Sequence, residues 1–222
     1  MANKVNEVLQ YPLIDRFEKD LDAFLNSEAA GSPIVLALFD IDEFMRVNDN
    51  WGMDMGDKII IESAQYVAGC LPEDTVIYRI GGDEFAIIFN NGMEKEDVFL
   101  LMNDIKNGYP IKLPDGSPLT ISAGIATAFE DATRLQELIR KAESALFRAK
   151  NNGRNKVGLA REEKMVPKTS HYTSEQLSLL SKLAKREGVG EAILLREALD
   201  MLLKKYDTAL FSHAMLDTGK QS

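Results

Sequence analysis

The chain has 222 residues, 45% of them hydrophobic, with a formal net charge of −9. That length suits one large domain or one domain with a small appendage, and the apolar share is enough for a packed core. Residues 161–222 carry ten basic and nine acidic side chains and residues 1–160 carry 16 and 26; so acidic a first part excludes a broad electrostatic grip on nucleic acid, but not a nucleotide held through a metal and a few placed cations.

At the N-terminus no long apolar run appears, so neither a leader nor a membrane span is expected. Residues 5–28 read as a helix broken near Pro12, with Leu13, Ile14, Phe17, Leu21, Phe24 and Leu25 at helical spacing. Ala29–Pro33 reads as a loop. Ile34–Phe39 is an unbroken apolar run, read as a fully buried central strand. It ends in Asp40-Ile41-Asp42, at the carboxyl end of a strand, where α/β sheets place ligands. Glu43–Asp57 is polar, rich in turn formers, and leads into an amphipathic helix with Ile59, Ile60, Ala64 and Val67 inward. That helix stops near Gly69 and Pro72. The single cysteine, Cys70, leaves no internal disulfide and fits a reducing cytosol.

Two apolar runs, Val76–Ile80 and Phe85–Phe89, flank Gly81-Gly82-Asp83, a hairpin pattern. The tip carries Asp83 and Glu84. Two carboxylates at a tight turn between buried strands need a positive partner, and a divalent metal with a phosphate ligand is the simplest. A solvated tip is the bland reading; the acids Asp40 and Asp42 argue against it. Asn90-Asn91-Gly92 reads as a turn, and Lys95–Asn107 as a helix with Val98, Leu101, Met102 and Ile105 inward. Residues 110–126 read as a second hairpin turning at Pro114-Asp115-Gly116, with Leu119–Ala126 as a tightly packed return strand. Thr133–Lys150 reads as a long helix ended by Asn152-Gly153, and Asn155–Leu159 as a short edge strand. The order predicts an α/β (α+β) fold, a mixed antiparallel sheet with helices on one side, ferredoxin-like in outline.

Five ordered blocks carry a resemblance. R-I-G-G-D-E-F at 79–85 resembles the signature of the GGDEF family of diguanylate cyclases. So do F-D-I-D-E-F at 39–44, N-D-N-W-G at 48–52 with G-D at 56–57, T-I-S-A-G-I-A at 120–126 and A-L-F-R-A-K-N-N-G-R-N at 145–155. The likeness implies a ferredoxin-like, palm-type domain, flanked by helices, that condenses two GTP into cyclic di-GMP and pyrophosphate. It implies that Asp40 and Asp83 bind Mg2+ or Mn2+, with the Ile41 carbonyl as a further ligand and Glu84 assisting. Asp83 is also where the family's proposed base would act. Gly82 would admit the nucleotide, Phe44 would line the guanine pocket, and Asn48 and Asp57 would read the guanine edge. Lys150 and Arg154 would bind phosphates; four apart across a helix end, they can converge on one triphosphate.

Taken singly, these residues read differently. Lys150 and Arg154 would be cations favoured by a helix C-terminus, Asn48 a turn residue, Phe44 and Trp51 packing groups. Asp42 and Asp49 read as solvated and are given no chemistry, and His171 and His213 lack metal-ligand spacing. Only their joint order carries the functional reading. The chain also departs from the family. Met45 stands where a Lys is usual and Met53 where a His is usual. Y-P-L-I-D-R-F at 11–17 replaces the usual D-x-L-T-G-L-x-N-R. Met45 leaves one cation fewer near the phosphates, so lowered activity is expected; Pro72 and Thr75 occupy the ends of the R-x-x-D product-inhibition site, so no product inhibition through that site is expected.

Beyond a charged linker at 161–168, Thr173-Ser174-Glu175-Gln176 reads as a capping box. A helix follows to about Arg186 with Leu177, Leu180 and Leu183 inward, then a second from Ala192 to Lys205. This stretch resembles the ribbon-helix-helix family, whose members are intertwined dimers that often bind DNA. Two short helices cannot bury their apolar faces alone, so association is expected. Pro167, where a ribbon needs backbone donors, and the small charge of the tail favour dimerisation over DNA recognition. The expected organisation is a cyclase domain over 1–160, a linker or ribbon strand over 161–172, a two-helix dimerisation module over 173–207 and a frayed tail over 208–222. The first reading is a cytoplasmic, metal-dependent cyclase acting on GTP as a homodimer, with no membrane. The second is a silent GTP or cyclic-dinucleotide receptor controlling a DNA-binding tail. The third is a cyclase for another cyclic dinucleotide, against which Asp57 argues.

Overall fold

The computed structural model describes residues 2–26, 33–73, 75–161, 169–187, 190–192, 194–196, 198–199 and 201–202. In chain order these form α1 (Ala2–Leu9), α2 (Ile14–Leu25), β1 (Val35–Ile41), α3 (Phe44–Trp51), α4 (Met53–Cys70), β2 (Val76–Arg79), β3 (Glu84–Phe89), α5 (Lys95–Asn107), β4 (Ile121–Thr127), α6 (Leu135–Asn151), β5 (Val157–Leu159) and α7 (Ser174–Glu187). Residues 1–163 and 164–222 are two compact units. None of the described helices is long and apolar enough to cross a membrane.

The sheet of the first unit runs β2-β3-β1-β4-β5. β1 pairs antiparallel with β3 and β4, and β5 lies parallel to β4 as an edge. The first four strands with α4 and α5 between them make the βαββαβ arrangement expected. β1 is buried along its whole length, as its apolar run required. Because side chains alternate across a strand, that run faces two different cores. Val35, Ala37, Phe39 and Ile41 meet Ile59, Ala64, Val67, Val98 and Met102 of α4 and α5. Leu36 and Leu38 meet Phe17 and Leu21 of α2 and Leu138, Ala142 and Leu146 of α6. The expectation of helices on one side is thus corrected: they cover both faces.

Three other expectations change. The polar stretch from Glu43 to Asp57 is mostly helix, interrupted only at Gly52, whose φ of +81° favours glycine. Asp49, Asn50 and Asp54 lie on the outer side, while Val47 and Gly56 are buried. Residues 110–120 form no full strand: the second hairpin is reduced to the bridge between Lys112 and Pro118, with the Leu113 N–H donating to the Ser117 carbonyl at 2.9 Å and the Leu119 N–H to the Ile111 carbonyl at 3.0 Å. Pro110, Pro114 and Pro118 remove the donors a ladder would need. Leu13 and Ile14 are exposed, since only Phe17 and Leu21 of α2 turn fully inward. Leu13 instead bridges to Arg79, whose backbone N–H donates to the Pro12 carbonyl at 2.9 Å, so the lead-in segment covers the edge of β2.

In the second unit the capping box is present. Thr173 Oγ1 accepts from the Gln176 N–H at 3.2 Å, and Gln176 Oε1 accepts from the Thr173 N–H at 2.9 Å. Leu177 and Leu183, expected inward, are exposed, as is Leu179. Residues 191–192, 194–196, 198–199 and 201–202 are helical. The Ala29–Ser32 part of the first loop, the linker from Glu162 to Lys168, and the tail 208–222 lie outside the described residues.

Candidate active site

Register brings the acids together. The hairpin tip returns so that Glu84 pairs with Asp40, and on the other side Ser122 pairs with Asp40. One residue earlier Phe39 stacks on Phe85 with ring centroids 4.9 Å apart, anchoring the two strands beneath the tip. Asp40 shares its strand face with Leu36 and Leu38, the face covered by α6. Lys150, in the last turn of α6, therefore reaches Asp40: its Nζ lies 2.6 Å from Oδ2.

Asp40 is only 4% exposed, and its Oδ1 is buried with no hydrogen-bond partner. Burial pushes this carboxyl up to about 7; Lys150 opposes that shift, while Asp83 and Glu84 add to it. Among the described residues no group of three His, Cys, Asp or Glu side chains is placed to hold a metal unaided. A carboxyl raised above its unfolded value stabilises the fold fully below the ordinary carboxylate range, and that stability is lost as pH rises through about 7. Asp40→Asn, which cannot ionise, is therefore expected to melt above wild type at about pH 8, with the gap closing toward about pH 5. Each kcal/mol gained would raise Tm by about 2–4 °C. Thermal melts without divalent metal check this, and a gap that ignores pH refutes it.

The signature turn is held by Arg79, which the sequence reading passed over. Its guanidinium donates to the Gly82 carbonyl from Nε at 3.2 Å and from Nη2 at 2.7 Å, and to Asn6 Oδ1 from Nη1 at 2.6 Å. Burial lowers its pKa, while Asp57 and Asp83 act to raise it. A Cβ at Gly81 would come within 2.6 Å of Glu84 Oε2, so glycine there makes room for the Glu84 carboxylate. At Gly82 a Cβ would meet nothing within 4 Å; the protein itself does not demand glycine there.

A second cluster joins α3 to α4. A Cβ at Gly56 would come within 2.0 Å of Asn48 Oδ1 and 3.1 Å of the Phe44 ring, so glycine lets both residues lie on α4, beside Asp57. Asn48 Oδ1 is buried without a partner. Ile41 is buried at the end of β1. Arg154 is exposed, on left-handed backbone past α6.

Asp42 overturns its assignment as a solvated acid. It is 3% exposed and accepts from Thr120 Oγ1 at 2.6 Å, Ser122 Oγ at 2.8 Å and the Asn155 N–H at 3.0 Å. The signal lay in the alternation: Asp40 and Asp42, like Thr120 and Ser122, are spaced by two and so share a strand face.

Residues 15–156 match the family described as "Diguanylate cyclase, GGDEF domain", and residues 165–207 match "Ribbon-helix-helix domain". The chain is 34% identical over 140 residues to the probable diguanylate cyclase DgcC of Escherichia coli, covering 62% of this chain and 38% of that protein. With the probable diguanylate cyclase DgcT of the same organism it shares 31% over 139 residues, 60% of this chain and 30% of the relative. The chain thus spans about a third of these relatives' length. Among solved structures, the GGDEF domain of PA1120 from Pseudomonas aeruginosa aligns with a TM-score of 0.63 and 28% identity, covering 69% of this chain and 98% of that one. The coiled coil and GGDEF domain of DgcB from Caulobacter crescentus, in complex with c-di-GMP, aligns with a TM-score of 0.60 and 26% identity over 69% and 84%.

Proposed function

Because the chain belongs to the GGDEF domain family of diguanylate cyclases, we propose that it condenses two GTP into cyclic di-GMP with release of pyrophosphate. The observation that carries this is the meeting of buried Asp40 with the hairpin acids and Lys150 at one end of β1. The orphaned Oδ1 of Asp40 suits a hard cation. Asp40, Asp83, Glu84 and the Ile41 carbonyl would hold Mg2+ or Mn2+, a hard cation suited to oxygen ligands. When bound, the ion neutralises charge developing on the triphosphate.

The chain's own residues do the rest. Lys150 exchanges Asp40 for a phosphate once that carboxylate has another cation, and Arg154 adds a second charge. Asn48 and Asp57 read guanine: a carboxylate accepts from N1–H and the 2-amino group together, a pair adenine lacks. Gly82 leaves open space beside the turn for the nucleotide. Asp83 takes the proton of the attacking 3′-hydroxyl. With Pro72 and Thr75 in place of the R-x-x-D ends, cyclic di-GMP does not inhibit through that site. Incubating the full chain with Mg2+ and each nucleoside triphosphate in turn, followed by chromatography, is expected to give a cyclic dinucleotide from GTP alone. No product from GTP, or as much from ATP, would overturn the reading.

One domain holds one GTP, so two must face each other. The exposed Leu179 and Leu183, four apart on one face of α7, offer an apolar surface for a second copy. A dimerising tail raises the effective concentration of the encounter to roughly millimolar. A chain ending at Glu163, which keeps β5 and the buried Ala160, is expected to sediment as a monomer and to lose about 100-fold in rate at micromolar protein. A truncated chain that remains a tight dimer refutes this role. The second reading, a silent receptor, is favoured by Met45, 60% exposed where the family carries a Lys, and by the ribbon-helix-helix match.

A further inference from the structure

We infer that Asp42 is a positioning residue for the phosphate-binding end of the site. The inference rests on the function proposed above and adds a residue that function does not use. Asp42 lies just past β1, two residues beyond Asp40, and its carboxylate is filled by three donors from two distant parts of the chain. Oδ1 takes the Ser122 hydroxyl, and Oδ2 takes both the Thr120 hydroxyl and the Asn155 N–H. Its own backbone N–H donates to the Thr120 carbonyl at 2.9 Å. A buried anion with this many donors is fully satisfied where it stands, and it asks for no further ligand.

The bond to Asn155 is the one that matters for function. Gly153, Arg154 and Asn155 stand in succession at φ of +102°, +54° and +48°. Asn tolerates left-handed backbone, but an Arg persists there only where the surroundings impose it. Here a carboxylate does so, drawing the Asn155 N–H inward with a charge-assisted hydrogen bond. The backbone that carries Arg154, the residue before, is thereby tied to the end of β1 through its neighbour.

The end of β1 therefore grips the end of α6 twice: Asp40 through the Lys150 side chain, and Asp42 through the Asn155 backbone. In the proposed reaction Lys150 leaves Asp40 for a phosphate. The first grip is then gone, and the second keeps Lys150 and Arg154 within reach of the same triphosphate. This explains why a carboxylate that touches no reacting atom is buried beside the site.

The test is titration of the full-length chain with Mg2+ and a non-hydrolysable GTP analogue, in the variants Asp42→Ala, Asp42→Asn, Ser122→Ala and Arg154→Ala and the double variant of Asp42 and Arg154. Asp42→Ala is expected to weaken binding about tenfold or more. Asp42→Asn, which keeps one acceptor, falls between it and wild type. Ser122→Ala leaves the bond to Asn155 in place and binds within about twofold of wild type, even where it melts lower. If Asp42 acts by placing Arg154, the double variant loses little beyond Arg154→Ala alone, whereas a purely structural loss adds to it. Additive losses, or a folded Asp42→Ala with wild-type affinity, overturn the inference alone. A failure of both Asp42 variants to fold also overturns it, making Asp42 a folding residue. A wild-type chain that binds no analogue overturns the proposed function together with it.

Discussion

Asp83→Ala is expected to abolish cyclic dinucleotide formation, by on the order of a thousandfold or more, while the protein stays folded. Asp83 sits at the hairpin tip, half-exposed, outside both cores, so removing its carboxylate opens no cavity in either. Electrostatically it matters more. Its charge helps hold the Asp40 carboxyl up near 7, because a second negative charge nearby disfavours ionisation of a group already stripped of water. Taking it away relieves Asp40 and also gives up its attraction for Arg79, so the metal-free variant should melt close to wild type. What it loses is a ligand for the cation and the acceptor for the 3′-hydroxyl proton, both needed only in the reacting complex. Product chromatography with Mg2+ and GTP, beside circular dichroism and a melting curve, separates the two effects. Product at the wild-type rate would remove Asp83 from the chemistry, and an unfolded variant would move it into the fold.

Gly124→Ala is expected to be among the most damaging single substitutions in the chain, costing roughly 3–5 kcal/mol. A Cβ at this position would lie 2.2 Å from the Ala142 carbonyl oxygen, 2.2 Å from the Leu146 nitrogen and 2.8 Å from its Cα. These are backbone atoms of α6, and no side-chain rotation relieves them. The helix would have to lift away from β4, and Leu138, Ala142 and Leu146 would lose contacts in the core they share with Leu36 and Leu38. The same displacement would carry Lys150 away from Asp40, 2.6 Å away in the native fold. Urea unfolding measures the stability loss, and residual activity at low temperature measures the shift of α6. A variant within about 1 kcal/mol of wild type would mean that α6 does not pack on β4 as described.

Close packing at Gly124 was legible as a run of small residues, T-I-S-A-G-I-A, though not which helix presses on it. The unbroken apolar run of β1 already demanded cover on both faces, which is why placing the helices on one side failed. The stretch after Asp42 read as turns because Asn, Asp and Gly are frequent there; α3 forms regardless, since Val47 can be buried and a single glycine absorbs the break. The second hairpin read from Pro114-Asp115-Gly116 has its turn but only a two-bond ladder, because prolines count against strands whatever the turn favours. At the site, Asp40 and the hairpin acids could be found from their place beside buried strands. For Asp42 the alternation with Asp40 was the one local sign, since its partners lie 78, 80 and 113 residues away; Arg79 bonds Gly82 nearby, but its other partner, Asn6, is 73 residues back.

By itself the sequence determined the strands and helices with strong periodicity, the turn that presents Asp83 and Glu84, and the family to which the motifs belong, all set by patterns within a few neighbouring residues. Only the tertiary structure decided that Lys150 sits on Asp40, that Asp42 is a buried clamp, and that the strand-end acid resists ionisation. Strand register and the depth of burial control those facts, and both arise from segments that meet only once the chain has folded.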